Sequence, residues 1–76
     1  MAFDKAVFQE GAVSALNKQL MAVAVALTTQ CPYCIEIHTK EARKAGETDE
    51  QLAETAVVAA AIRAGGAITH AAHLFS

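Results

Sequence analysis

The segment Cys31-Pro32-Tyr33-Cys34 restricts where a helix can begin in this chain. Proline has no N–H group and is excluded from a helix interior, but it fits the first helical position, where that group needs no partner. We therefore predict a helix that begins at Pro32, with Cys31 as its cap and Cys34 in its first turn. His38 then lies one turn beyond Cys34 on the same face of the helix.

This placement favours thiol chemistry. The free N–H groups and the dipole at a helix start stabilise negative charge, and the thiolate is the reactive form of cysteine. Two sulfurs three positions apart can form a disulfide, and an imidazole such as His38 can take up the proton. Peroxide reduction and disulfide exchange both need these groups. The helix start alone does not decide which of Cys31 and Cys34 attacks, and Glu41 is a candidate to orient the His38 ring.

Other interpretations of these residues stay open. The two cysteines could be inert and buried beside a core histidine. Cys31, Cys34, His70 and His73 are also the residue types that bind zinc, although two histidines three apart are closer than the usual spacing. Packing is the commoner role both for His70 and His73 and for Tyr33, which lies between the cysteines.

The apolar spacing predicts an all-α fold of about four helices in a single domain, residues 1–76. The predicted helices cover 2–10 with Gly11 as the stop, 15–30 with Ser14 as the cap, 32–45 ended by Gly46, and 49 to at least 63 behind a Thr48–Gln51 capping box. We expect a kink or break at Gly65-Gly66, after which helical spacing continues to Phe75.

Two runs, 20–27 and 56–62, are apolar on all sides in a chain of 76 residues that is 54% hydrophobic. A chain this short buries only about 60% of its unfolded surface, so we expect these runs to be deeply buried or covered in a homo-oligomer. Both runs are shorter than the roughly 18 residues of a membrane span, so no membrane association is expected. The net charge of −2 and the six Lys or Arg residues, without a basic cluster, argue against nucleic-acid binding.

The N-terminal residues lack the apolar segment of a signal peptide, which predicts a cytoplasmic location. In a reducing compartment, two cysteines at this spacing indicate redox or metal chemistry rather than a structural cross-link. We expect no bound cofactor.

Residues 22–46, which contain the segment from Cys31 to His38, resemble the core of the carboxymuconolactone decarboxylase family in its AhpD-like alkylhydroperoxidase branch. Residues 60–66 and 69–73 resemble the same branch, and the similarity begins at about Phe3. The resemblance implies an all-helical fold that assembles as trimers and often as hexamers. It also implies an active site in which Cys34 is the attacking thiol, Cys31 resolves the intermediate and His38 assists.

One position departs from the family pattern. The family usually has a glutamate of a proton relay twelve residues before the first cysteine, and this chain has Gln19 there. A glutamine can hydrogen-bond a water or a ring but cannot accept a proton near neutral pH. Gln19 is therefore expected to position a water or His38. Either Glu41 or His38 then supplies the base, or peroxide turnover is slow.

The predicted function is that of a thiol-dependent peroxide reductase or disulfide oxidoreductase with Cys34, Cys31, His38 and Gln19 at its site. Its substrates would be a hydroperoxide or a disulfide, and a dithiol would supply electrons. One alternative is a lactone decarboxylase acting on a carboxymuconolactone-like acid, a branch that does not depend on a CxxC pair. Another is a non-catalytic helical assembly module.

Overall fold

The computed structural model describes residues 2–75 and confirms the all-α prediction. The helices are α1 (Ala2–Val7), α2 (Ala15–Thr29), α3 (Pro32–Lys44) and α4 (Asp49–His70), and a 3₁₀ helix (Ala71–Phe75) follows α4. The described part of the chain contains no strand.

The helix ends follow local sequence signals. Ser14 Oγ accepts a hydrogen bond from the N–H of Asn17 at the start of α2, at 3.1 Å. At the start of α4, Thr48 and Gln51 exchange both bonds of a capping box, at 2.7 and 3.2 Å. Gly46 has a φ of 102° just after α3, a conformation that residues with a Cβ rarely adopt. These three signals were all predicted.

Helix α1 is shorter than predicted. In a longer helix the carbonyl of Val7 would accept from the N–H of Gly11, but this N–H donates to Val13 at 3.3 Å. The ammonium group of Lys18 donates instead to the carbonyls of Val7 and Gln9, at 2.9 and 2.7 Å. The side chain of Lys18 thus satisfies backbone groups at the end of α1.

Helix α4 runs without interruption through Gly65 and Gly66, so of the kink or break predicted there, the break is wrong. A glycine costs a helix about 1 kcal/mol, and the many alanines around this pair favour the helix enough to carry it through. The α-helix ends after His70 instead, where the N–H of Ala71 reaches the carbonyls of both Ala67 and Ile68.

The core lies where α2 packs against α3 and α4. Its buried apolar residues are small: Val23 and Ala26 of α2, Ala42 of α3 and Ala59 of α4. Small side chains let the helices approach closely. The Arg63 guanidinium also donates to the carbonyl of Thr28, which ties the end of α2 to α4 just ahead of the cysteines.

The two apolar runs were expected to be either deeply buried or covered in a homo-oligomer. Deep burial within the single chain is not observed. Val25 of α2 is 59% exposed, and Val57 and Ile62 of α4 are 67% and 71% exposed. The radius of gyration is 14.7 Å, whereas a compact domain of this length has about 11 Å. The surface is 5749 Å², against about 4,500 Å² for a compact protein of this size. The single chain therefore leaves much apolar helix surface uncovered.

Together, α4 and the 3₁₀ helix form the one helical stretch of the described residues, Asp49–Phe75, that is long and apolar enough to cross a membrane. The stretch meets this criterion by its length and composition only. A helix covered by protein passes the same test, so the stretch is weak evidence for a span.

Candidate active site

The two cysteines lie at the turn from α2 to α3. Gln30 ends α2 in the left-handed conformation, with a φ of 58°. The N–H of Cys31 then donates to the carbonyl of Ala26 at 3.1 Å, which stabilises the turn between α2 and α3. Pro32 is the first residue of α3 and Cys31 is its N-cap, so the predicted helix start is confirmed.

Cys31 and Cys34 form a disulfide across the first turn of α3, with their Cα atoms 5.3 Å apart. The N–H of Cys34 lies 3.3 Å from the sulfur of Cys31 and donates to it. Both residues are half-buried. This hydrogen bond distinguishes the two sulfurs. In a reduced pair, Cys31 is the thiol whose negative charge the helix N-terminus stabilises through a direct bond.

His38 follows one turn after Cys34 and contacts α2. Its Nδ1 atom lies 2.8 Å from Oε1 of Gln19. An amide oxygen only accepts hydrogen bonds, so the imidazole donates from Nδ1, and in a neutral ring with this tautomer Nε2 carries the lone pair. Glu41, the other candidate partner, does not make this contact, and its Oε2 atom lies 3.9 Å from the ammonium group of Lys44. The structure therefore brings Gln19, and not Glu41, to the ring.

A residue that the sequence did not indicate also contacts this histidine. The ring of Phe8 stacks on the ring of His38, with centroids 4.9 Å apart and planes inclined by 24°. Phe8 lies in the turn after α1, thirty positions before His38. Phe8 falls within the helix predicted for residues 2–10, and no pattern in the sequence relates two residues this far apart.

Two cavities meet at Phe8, Cys34 and His38. One has a volume of about 510 Å³ and a mostly apolar lining. The other has a volume of about 660 Å³ and a more polar lining. The apolar cavity is completed by Val7, Lys18, Met21, Ala22, Val25, Ala26 and Thr29, and the polar cavity by Asp4, Lys5, Gln9, Gln19, Tyr33, Ile37 and Glu41. Cys34 thus faces both spaces, whereas Cys31 lines neither.

The histidines of the C-terminal segment lie apart from this arrangement. The rings of His70 and His73 are 5.9 Å apart, and Nδ1 of His70 lies 2.8 Å from the carbonyl oxygen of Gly66. Between residues 2 and 75, no group of three or more His, Cys, Asp or Glu side chains is arranged to hold a metal ion. The four residues considered for zinc are therefore not assembled into a site.

The sequence matches one family model and several known proteins. The model of the carboxymuconolactone decarboxylase family matches residues 1–76. Over 71 residues, the chain is 55% identical to "Uncharacterized protein 4 in cox locus" of Paracoccus denitrificans, which covers 93% of this chain and 64% of that protein. An uncharacterized protein of Cupriavidus necator is 44% identical over 62 residues, 82% of this chain and 53% of that protein. The chain therefore spans between half and two thirds of these relatives.

A solved structure is similar over almost the whole chain. The crystal structure of a protein from Methanobacterium thermoautotrophicum superposes with a TM-score of 0.91 at 41% sequence identity. The match covers 99% of this chain and 86% of the other. The arrangement of helices described above is thus shared with an experimentally determined structure.

Proposed function

Since the chain belongs to the carboxymuconolactone decarboxylase family, we propose that it is a thiol-dependent oxidoreductase that reduces hydroperoxides or disulfides at the expense of a dithiol. The observation that carries this proposal is the Cys31–Cys34 disulfide at the start of α3, with His38 lining the same cavities as Cys34. A pair of sulfurs that bond in place can store and release two electrons without a cofactor.

In the oxidative half-reaction, Cys34 is the attacking thiol because it faces both cavities. Nε2 of His38 takes the thiol proton, and the thiolate attacks the terminal oxygen of the hydroperoxide. An S–O bond forms, the O–O bond breaks, and the departing alkoxide takes the proton back from His38 and leaves as an alcohol. Cys31 then attacks the sulfenic acid on Cys34, and water leaves as the disulfide forms.

In the reductive half-reaction, a dithiol donor attacks the sulfur of Cys34. Cys31 leaves as a thiolate, which the N–H of Cys34 stabilises. A stabilised thiolate is the better leaving group in thiol–disulfide exchange, so the hydrogen bond to Cys31 favours attack at Cys34. The second thiol of the donor displaces Cys34, and the two donor protons end on the two cysteines. A disulfide substrate would react with the reduced pair by the same steps in reverse.

Gln19 orients the imidazole in this scheme and does not move a proton. Its oxygen accepts from Nδ1 of His38 at 2.8 Å, which keeps Nε2 free to accept the proton of Cys34. Because an amide has no basic site near neutral pH, the proton relay ends at His38.

We further propose that the protein is a homo-oligomer of the trimeric or hexameric type and works in the cytoplasm. Val57, Val58 and Ile62 of α4 are 67%, 61% and 71% exposed, and a row of exposed apolar side chains favours an assembly that covers it. A reducing compartment would supply the dithiol that returns the pair to its thiol form.

The test is to react the pre-reduced protein with one equivalent of an organic hydroperoxide and to analyse it by mass spectrometry. We expect the loss of two hydrogen atoms, localised to a Cys31–Cys34 bridge. The Cys31→Ser variant should trap a sulfenic acid on Cys34 that a dimedone reagent labels, and Cys34→Ser should stay unlabelled. A wild-type protein whose thiols survive both hydroperoxide and disulfide reagents would overturn the proposal. Turnover of a lactone substrate by Cys34→Ser would support the decarboxylase alternative.

A further inference from the structure

One side chain of the segment before α2 stacks on the histidine of the candidate site. Within residues 2–13, all of which the structure describes, Phe8 is half-buried and the others are exposed. The Phe8 ring stacks on the imidazole of His38, with the ring centroids 4.9 Å apart and the planes inclined by 24°. This aromatic contact joins the N-terminal segment directly to the imidazole.

Phe8 is held from both sides along the backbone. The ammonium group of Lys18 donates to the carbonyl of Val7 at 2.9 Å and to the carbonyl of Gln9 at 2.7 Å. These are the residues immediately before and after Phe8. Hydrogen bonds from a charged donor are stronger than those between neutral groups, so Lys18 fixes the turn from which the Phe8 ring projects.

Two consecutive residues of α2 thus constrain the same imidazole. Gln19 holds the edge of the His38 ring at Nδ1, at 2.8 Å. Lys18, through Phe8, holds one face of the ring. A hydrogen bond at one nitrogen still permits the ring to tilt about that bond, and a stacked aromatic face opposes the tilt. The two contacts together define the direction of the free Nε2 atom.

We propose that Phe8 is a positioning residue for His38 and that Lys18 holds Phe8 in place. The inference rests on the proposed function, in which Nε2 of His38 takes a proton from Cys34. In this scheme Phe8 acts through its stacking on the imidazole. A proton transfer depends steeply on the placement of its acceptor, so releasing the ring slows the oxidation of the thiols about tenfold.

The chain offers a matched set of variants. Phe8→Leu removes the aromatic face and keeps an apolar side chain, whereas Phe8→Tyr keeps the face. Phe3→Leu makes the same chemical change in α1 at a residue that is 71% exposed and lines neither cavity. Lys18→Met removes the ammonium group and leaves the Phe8 ring intact.

Two measurements are made on each variant. The first is the rate of disulfide formation when the reduced protein meets an organic hydroperoxide. The second is the nitrogen-15 NMR spectrum of the His38 imidazole in the disulfide form, which reports whether Nδ1 carries the proton and needs no substrate. We expect Phe8→Leu and Lys18→Met to lower the rate about tenfold and to mix the two tautomers of His38. Phe3→Leu should match the wild type in both measurements, and Phe8→Tyr should keep the wild-type His38 spectrum.

The outcomes separate this inference from the proposed function. If Phe8→Leu keeps the wild-type rate and the wild-type His38 spectrum, Phe8 does not position the ring and the inference is wrong. If the wild type does not oxidise its thiols, the proposed function fails, and the spectra alone decide whether Phe8 orients His38. Should Phe8→Leu not fold, as judged by circular dichroism, Lys18→Met provides the same test with the aromatic ring retained.

Discussion

The Oε1 atom of Gln19 lies 2.8 Å from Nδ1 of His38 and joins α2 to α3 beside the disulfide. A glutamate at this position would accept the same hydrogen bond and could also accept the proton. The amide accepts the bond without accepting the proton. Position 19 therefore separates two roles, orienting the imidazole and relaying its proton, and substitution there can measure each role.

The first prediction concerns both roles of position 19. Gln19→Leu leaves Nδ1 of the half-buried His38 without its acceptor, and we expect disulfide formation with a hydroperoxide to slow about tenfold. Gln19→Glu adds a proton acceptor to the ring, and because a well-placed general base contributes at least about 10²-fold, we expect an acceleration of about tenfold or more. Stopped-flow measurement of thiol loss gives both rates.

Gln9→Glu is the control for charge. Gln9 lines the polar cavity with His38, but its side-chain amide donates to the carbonyl of Lys5 at 3.1 Å. The substitution therefore brings the same negative charge into the cavity without placing it on the imidazole. Equal acceleration by Gln9→Glu and Gln19→Glu would assign the effect to charge in the cavity and contradict the relay interpretation.

The second prediction concerns the cap of α3. The sulfur of Cys31 accepts the N–H of Cys34 at 3.3 Å. Under reducing conditions, Cys31→Ala removes this cap, and we expect the free energy of unfolding to fall by about 0.5–2 kcal/mol. Cys31→Ser also abolishes the disulfide but supplies a good capping oxygen, so it should be at least as stable as the reduced wild type. Urea unfolding followed by circular dichroism compares them, and equal stability of the two variants would show that the cap contributes nothing.

Several elements could be predicted because their signals are local. Pro32 fixes the start of α3, Thr48 and Gln51 fix the start of α4, and Gly46 ends α3, each through atoms within a few residues. Cys31 caps α3, and Cys34 and His38 lie within it, so their proximity follows from helix geometry. The candidate position Gln19 came from a family pattern, not from spacing.

Other features depend on packing that the sequence does not display. The stacking of Phe8 on His38 joins residues thirty positions apart, through a turn whose conformation Lys18 sets from a third element. The continuity of α4 through Gly65 depends on the balance between a glycine penalty of about 1 kcal/mol and the helix preference of its neighbours. A local pattern shows each contribution but not which is larger.

The third prediction tests that balance. Gly65 lies within α4, it is exposed, and no atom lies within 4 Å of the position that a Cβ would occupy. We expect Gly65→Ala to raise the free energy of unfolding by about 0.5–1 kcal/mol. Gly46→Ala is the opposite case, because a φ of 102° strains any residue with a Cβ and should cost about 1–2 kcal/mol. Thermal unfolding measures both, and a loss of stability in Gly65→Ala would indicate a close contact at this glycine in the assembled protein.

The fourth prediction concerns the uncovered face of α4. Ile62 is 71% exposed in the single chain, so a charge there has little effect on the fold of one subunit. In an oligomer that covers this face, Ile62→Glu buries an unpaired carboxylate, and we expect the assembly to dissociate to smaller species. Light scattering coupled to size-exclusion chromatography measures the mass, and circular dichroism verifies that the helices remain. Lys40→Gln changes the net charge by the same amount on the exposed side of α3 and should leave the mass unchanged. A wild-type protein that is monomeric, or an Ile62→Glu variant with the mass of the wild type, would exclude this face as the subunit interface.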